Sequence, residues 1–206
     1  MTIERPKYPN TIFAVDVESN GCTPPEIIEL SVVKIDSGAV EWPPSTWKIK
    51  PLHSIQERAT SIHGITDAEV AQSPSLQFVK DDIQSLIQHR SIVAHNAHVD
   101  FKLLKLSLPD WQPAAVYDTL RLVRVVAPEL PSFKLSSLVS RFGITEKLMR
   151  HGLFQAHRAC YDAMAAAYLF LALVEQARSK GIGIDQVLRI SAMAVNGEKP
   201  KQGQLL

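Results

Sequence analysis

Asp16 and Glu18 lie two residues apart where the apolar run Thr11 to Val17 gives way to polar sequence. On a strand that spacing points both side chains to one face, where two carboxylates can share a hard cation through oxygen. Alone, such a pair more often marks a solvated strand end. A second group follows in Ala94-His95-Asn96-Ala97-His98-Val99-Asp100-Phe101, where an apolar strand runs into a polar turn and then a helix that carries Asp100 in its first turn. A carboxylate there also complements a helix dipole, and Asn96 also suits a simple turn. The third group is Gln155-Ala156-His157-Arg158-Ala159-Cys160-Tyr161-Asp162-Ala163. A separation of five does not keep His157 and Asp162 on one helical face, so His157 belongs on the loop entering a helix and Asp162 inside it. A lone His before a helix is more often structural than catalytic.

Taken together, these residues supply the inventory for phosphodiester hydrolysis. Several carboxylates can hold two divalent cations about 3.5–4 Å apart, which activate a water and stabilise the leaving oxygen. An imidazole with an ordinary pKa of about 6.5 can take the proton from that water near neutral pH. The zinc hydrolases are disfavoured, because Cys and His ligands are not grouped.

The elements that must position these groups follow from periodicity. Thr11 to Val17 reads as a buried central strand, and Glu26 to Ile35 and Thr46 to Lys50 as two more, separated by Asp36-Ser37-Gly38 and Pro43-Pro44. Helical spacing from Leu76 to Ile87 leads to a strand at Ser91 to Ala94. A helix over Val99 to Leu106, a strand at Val116 to Asp118 and a helix at Leu135 to Phe142 come next. The longest helix is predicted from Arg158 to Lys180, with Ala163, Ala165, Ala166 and Ala167 permitting close packing on a sheet, and a last helix from Asp185 to Val195. Strands first, then alternating helices and strands, predict an α/β sandwich with a mixed sheet.

The 206 residues are enough for one full core, so residues 1–195 are expected to form a single domain and the Gly, Lys and Gln-containing segment 196–206 a flexible tail. The formal charge is only +1, from 22 basic and 21 acidic side chains, so any grip on nucleic acid must be local rather than a property of the whole surface. Arg121, Arg124, Lys134, Arg141, Lys147, Arg150 and Arg158, grouped before the third element, are the candidates to track phosphates. Two cysteines without CxxC spacing, no apolar leader and no bilayer-length apolar run point to a cytoplasmic protein.

The elements Asp16-Val17-Glu18, His95-Asn96-Ala97-His98-Val99-Asp100 and His157-x4-Asp162, in that order, resemble the three motifs of the DnaQ-like, or DEDDh, 3′–5′ exonucleases. The stretches Ile62-His63-Gly64-Ile65-Thr66 and Asp118-Thr119-Leu120 with Lys134-Leu135 strengthen the likeness, which runs from about Thr11 to Val174 and is greatest to small stand-alone bacterial members of the exodeoxyribonuclease X type. The resemblance implies a ribonuclease H-like mixed five-stranded sheet flanked by helices. It implies Asp16, Glu18 and Asp162 as metal ligands, Asp100 supporting the second ion partly through water, and His157 as general base. Two Mg2+ or Mn2+ ions would serve release of nucleoside monophosphates from DNA 3′ ends. RNA is the competing substrate, and a non-catalytic nucleic-acid-binding module the alternative of another class. Ser19, Asn96 and His63 would face the substrate, His63 at the terminal nucleotide, with a turn role as its alternative; Asp118 would cap the helix after it. The sequence departs from the family at Ser19-Asn20, where two hydroxyl residues are common, and at Val99, where an aromatic is common, which bears on nucleotide packing. Gln202, Leu205 and Leu206 resemble a short bacterial sliding-clamp-binding motif.

Overall fold

A computed structural model of the protein describes residues 11–195. The first strand, β1 (Thr11–Ser19), shows why the sheet is sandwiched between two layers. Its side chains alternate, and both sets are buried. Ile12 and Ala14 enter one apolar cluster, Phe13 and Val15 another. A strand with period-two alternation of buried apolar residues on both faces must be covered on both sides. β2 (Ile27–Asp36) pairs antiparallel to it, and β5 (Ser91–Ala94) pairs parallel to it on the other side. β6 (Ala115–Asp118) continues the sheet parallel to β5.

The sheet is mixed and six-stranded, where five strands are expected from sequence. The extra strand comes from the third strand of the meander, which is broken in two. β3 (Ala39–Val40) and β4 (Ser45–Lys48) both pair with β2, at its far end and its near half respectively. Pro43 and Pro44 lie between them, and proline cannot donate to a ladder. Across its width the sheet therefore keeps five positions, β3 or β4, then β2, β1, β5 and β6.

One face is covered by α3 (Leu76–Ile87) and α4 (His98–Ser107), whose Val79, Ile83, Leu103 and Leu104 join Phe13 and Val15. The other carries α5 (Thr119–Val126), α6 (Leu135–Arg141), α8 (Ala159–Ser179) and α9 (Ile184–Ser191). Ala159, Ala163, Ala165, Ala166, Ala167 and Ala177 of α8 are buried, so its backbone lies close against the sheet while Leu169, Phe170 and Leu173 fill the wider gaps. Three short helices, α1 (Glu57–His63), α2 (Asp67–Val70) and α7 (Thr145–Arg150), are too short to leave much periodic signal. α9 stops at Ser191, short of the predicted Val195. There the chain becomes extended, Ala192 bridges to Tyr117, and the Met193 N–H donates to the Val116 carbonyl at 2.8 Å, so sheet pairing replaces the last helical turn. No helix among the described residues is long and apolar enough to cross a membrane.

Candidate active site

Parallel pairing brings the carboxyl ends of β1, β5 and β6 to one edge of the sheet, the usual place for a site in such an architecture. Asp16 and Glu18 share the face of Ile12 and Ala14, the face that receives α8. The first turn of α8 delivers Asp162 there. One oxygen from each of Asp16, Glu18 and Asp162 can be chosen so that all three lie within 4.8 Å of one another. Asp100 arrives from the opposite layer, in the first turn of α4, and its Oδ1 accepts the Val17 N–H at 3.2 Å. It is thereby tied to the backbone between the two β1 carboxylates. A bulge in the β1–β2 ladder falls between Glu18 and Ser19, where pairing shifts from Glu18–Glu29 to Ser19–Ile27. Such irregularities re-aim side chains beside sites.

The electrostatics of this group are unfavourable without a cation. Burial, then the charges of Asp100, Asp162 and Glu18, hold the Asp16 carboxyl well above the ordinary range. Burial, then Asp162, Glu29 and Asp100, push Glu18 up to about 8, with Arg158 pulling the other way. Asp100 rises to about 8, mainly by burial, and its backbone hydrogen bonds offset part of the rise. Asp162 rises to about 6 for the same first reason, opposed by His157. Like charges this close favour protonation, and hard divalent cations relieve the same repulsion. An all-carboxylate donor set with oxygens this near one another fits such an ion.

His157 lies outside α8, as its spacing predicts. It sits in the left-handed region at φ 60°, its N–H donates to Asp162 Oδ2 at 3.0 Å, and its ring Nδ1 is 4.0 Å from the same oxygen. With 61% of its side chain exposed, the imidazole is open to solvent at the rim of the carboxylate group. Asn96 is also left-handed, at φ 66°, and its N–H donates to Asp118 Oδ1. Asp118 accepts the Leu120 N–H with the same oxygen, so it caps α5 and clamps the turn leading to Asp100 at once.

His63 is placed differently from a residue on an open surface. It is 2% exposed, its Nδ1 accepts the Ile65 N–H at 3.0 Å, and its Nε2–H donates to the Ser19 carbonyl at 3.3 Å. Both ring nitrogens are engaged, and burial lowers its pKa, which favours the neutral ring. Ser19 is half-buried. The next residue, Asn20, is fully buried: its Oδ1 accepts the Cys22 and Glu26 N–H groups and its Nδ2 donates to Glu26 and to the His53 carbonyl. The departure from the family pattern at this position is thus a loop staple. Val99 is half exposed beside Asp100, while Phe101 turns inward against Trp111. His95 braces the layer behind, donating from Nε2 to the Phe133 carbonyl at 2.9 Å.

Among the seven basic residues expected to track phosphates, Arg158 is already committed. Its guanidinium grips Glu29 at 3.2 and 2.7 Å and reaches Glu69 at 2.9 Å. Glu29 lies outside all three motifs, although its partners Arg158 and Ala159 fall within the third. The available signal was a charge at a buried strand position, inside Ile27-Ile28-Glu29-Leu30-Ser31-Val32.

A family model described as exonuclease, RNase T, matches residues 13–170. The chain belongs to this exonuclease family. The order of its three motifs agrees with the DnaQ-like branch, and the match spans all five residues of the site. Among curated relatives, the PolC-type DNA polymerase III of Thermotoga petrophila is 33% identical over 183 residues, covering 85% of this chain and 13% of the polymerase. That of Bacillus subtilis is 32% identical over 179 residues, covering 84% of this chain and 12% of the polymerase. The chain therefore spans about an eighth of the length of these relatives. Two solved structures share the fold. Exonuclease X in complex with 5′-overhanging duplex DNA is 24% identical with a TM-score of 0.64, over 87% of this chain and 98% of that one. E. coli exonuclease I in complex with a dT13 oligonucleotide is 20% identical with a TM-score of 0.65, over 84% of this chain and 42% of that one.

Proposed function

We propose that this exonuclease hydrolyses DNA from its 3′ end, releasing nucleoside monophosphates, with Asp16, Glu18 and Asp162 as ligands to two Mg2+ or Mn2+ ions. The convergence of those three carboxylates, with no Lys or Arg paired to them among the described residues, carries the reading. When bound, the ions supply a lowered pKa for the attacking water and charge stabilisation for the phosphoryl oxygens. The chain's own residues do the rest. Asp100, held by the Val17 N–H, adds negative charge behind the β1 carboxylates and supports the second ion. His157 takes the proton of the attacking water at a ring nitrogen, a role that suits its exposed rim position. Its N–H bond to Asp162 couples the base to a ligand. Ser19, at the end of β1, and Asn96, in the turn before α4, flank the site, where a terminal nucleotide is expected to contact them. His63 serves by holding the Ser19 carbonyl rather than by offering a ring nitrogen.

The DNA preference draws support from the polymerase relatives and the DNA named with both structural neighbours. Matched, end-labelled DNA and RNA oligonucleotides, single- and double-stranded, test it. Faster loss of DNA supports the assignment, and faster loss of RNA would replace it with an exoribonuclease. We further take residues 1–195 as one catalytic unit acting in the cytoplasm. Gln202, Leu205 and Leu206 lie outside the described residues, and their role as a tether to a bacterial sliding clamp is tested by comparing clamp binding of the full chain with that of a form ending at Lys201.

A further inference from the structure

Glu29 poses a physical question. It is 3% exposed on β2, directly paired with Glu18 across the ladder, so its charge faces the same side of the sheet as the metal-site carboxylates. Burying a carboxylate next to like charges is costly unless its oxygens are fully bonded. They are. Oε1 accepts Arg158 Nη2–H at 2.7 Å, and Oε2 accepts Arg158 Nε–H at 3.2 Å and the Ala159 N–H at 2.8 Å.

The partners are the residues that follow His157. Ala159 opens α8, and its N–H is one of the first-turn groups that a helix leaves unsatisfied. The residue before it, Arg158, offers no side-chain cap of its own, so Glu29 caps α8 from a neighbouring strand. The fork on the Arg158 guanidinium adds a second attachment, and Glu69 a third, with Lys48 closing the chain on Glu69 at 2.7 Å. On the other side of the same segment, Asp162 holds the His157 N–H. Residues 157–159 are therefore gripped by three carboxylates from different elements, Glu29, Glu69 and Asp162. The first residue of that segment is a histidine at φ 60°, a conformation uncommon for a residue with a Cβ and in need of external support.

We infer that Glu29, acting through Arg158 and Ala159, is a positioning residue that sets the His157 imidazole against the carboxylate site, without being a metal ligand itself. The inference rests on the reading of His157 as the base. Effects of this kind are large because a displacement of about 1 Å at a reacting group can cost roughly 100-fold in rate.

The test is a double-substitution cycle on the full-length protein with single-stranded DNA and Mn2+. Glu29→Gln keeps the shape of the side chain and removes its charge. It is expected to lower kcat by about 10- to 100-fold with KM and calorimetric Mn2+ affinity nearly unchanged. In a His157→Ala background the same substitution is expected to cost less than about threefold, because the group it positions is gone. Arg158→Lys leaves the cap on Ala159 and removes only the fork. It should show the same non-additivity with a smaller loss, and it supplies the cycle if E29Q does not fold. Full additivity with His157→Ala, or a Mn2+ affinity that falls in step with kcat, would overturn the inference while leaving the base assignment intact. A His157→Ala protein at wild-type kcat would instead remove the base assignment, and the inference with it.

Discussion

At the start of α8 two groups of charged side chains lie side by side. In the first, Glu29, Arg158, Glu69 and Lys48 form a continuous chain in which each carboxylate meets a cation at 2.9 Å or less. In the second, Asp16, Glu18, Asp100 and Asp162 meet no Lys or Arg among the described residues; burial raises all four carboxyl pKa values, and neighbouring carboxylates add to the rise at Asp16, Glu18 and Asp100. Both groups put carboxylates into a desolvated place. Only the first is neutralised from within the chain, and it holds the helix and the loop in position. The second has no such partner among the described residues, and divalent cations are the ligands whose charge and oxygen preference match it. The lesson is that an internally paired carboxylate marks architecture, and an unrelieved cluster at a sheet edge marks chemistry.

The largest effects should come from the unrelieved group. Asp16→Ala, Glu18→Ala or Asp162→Ala should lower nuclease turnover by about 10³-fold or more while the far-ultraviolet circular dichroism stays native, the scale lost with a group that stabilises the transition state. Chelation should do the same to the wild type. A folded Asp16→Ala protein with near-native turnover would erase the distinction between the two groups. His157→Ala comes next, with an expected loss of roughly 10²–10⁴-fold and metal affinity largely kept, as measured by calorimetry.

A third prediction concerns pH. The Glu18 carboxyl rises from 4.5 to about 8 in the folded chain, so its protonated form stabilises the fold below about pH 4.5 and that contribution fades as pH rises through 8. Metal binding needs the ionised form, so the gain in Tm on adding Mn2+ should grow between pH 5.5 and 8. Scanning calorimetry with and without the ion reads this difference, and an equal gain at both pH values would contradict it. The smallest effect is reserved for the capping residue. Asp118→Ala should cost about 1–2 kcal/mol in urea unfolding, through loss of the α5 cap and of the Asn96 clamp, with activity changed only a few-fold. Unchanged stability would show that the turn before Asp100 holds without it.

Much of the site was legible in the sequence, because its geometry follows from local periodicity. Asp16 and Glu18 share a face through strand alternation, Asp100 and Asp162 fall in first helical turns, and the spacing of five keeps His157 out of α8. Asp118 reads as a cap for the same local reason. What escaped depends on contacts far apart in the chain. The Glu29–Arg158 grip joins residues 129 apart, and nothing in the local pattern pairs them. The burial of His63 depends on the Ser19 carbonyl, 44 residues away. The division of the third strand into β3 and β4 was signalled by Pro43-Pro44, but only pairing on one edge of β2 shows that both pieces remain in the sheet.

The central claim is that the unrelieved carboxylates hold cations that hydrolyse DNA from its 3′ end. The most direct measurement follows a 5′-labelled single strand with Mg2+ or Mn2+ on a sequencing gel, with wild type beside Asp162→Asn. The account predicts a ladder that shortens one nucleotide at a time from the 3′ end, absent with chelator and in the D162N variant. Early release of the 5′ label as a mononucleotide, or an unchanged ladder from folded D162N, would contradict it.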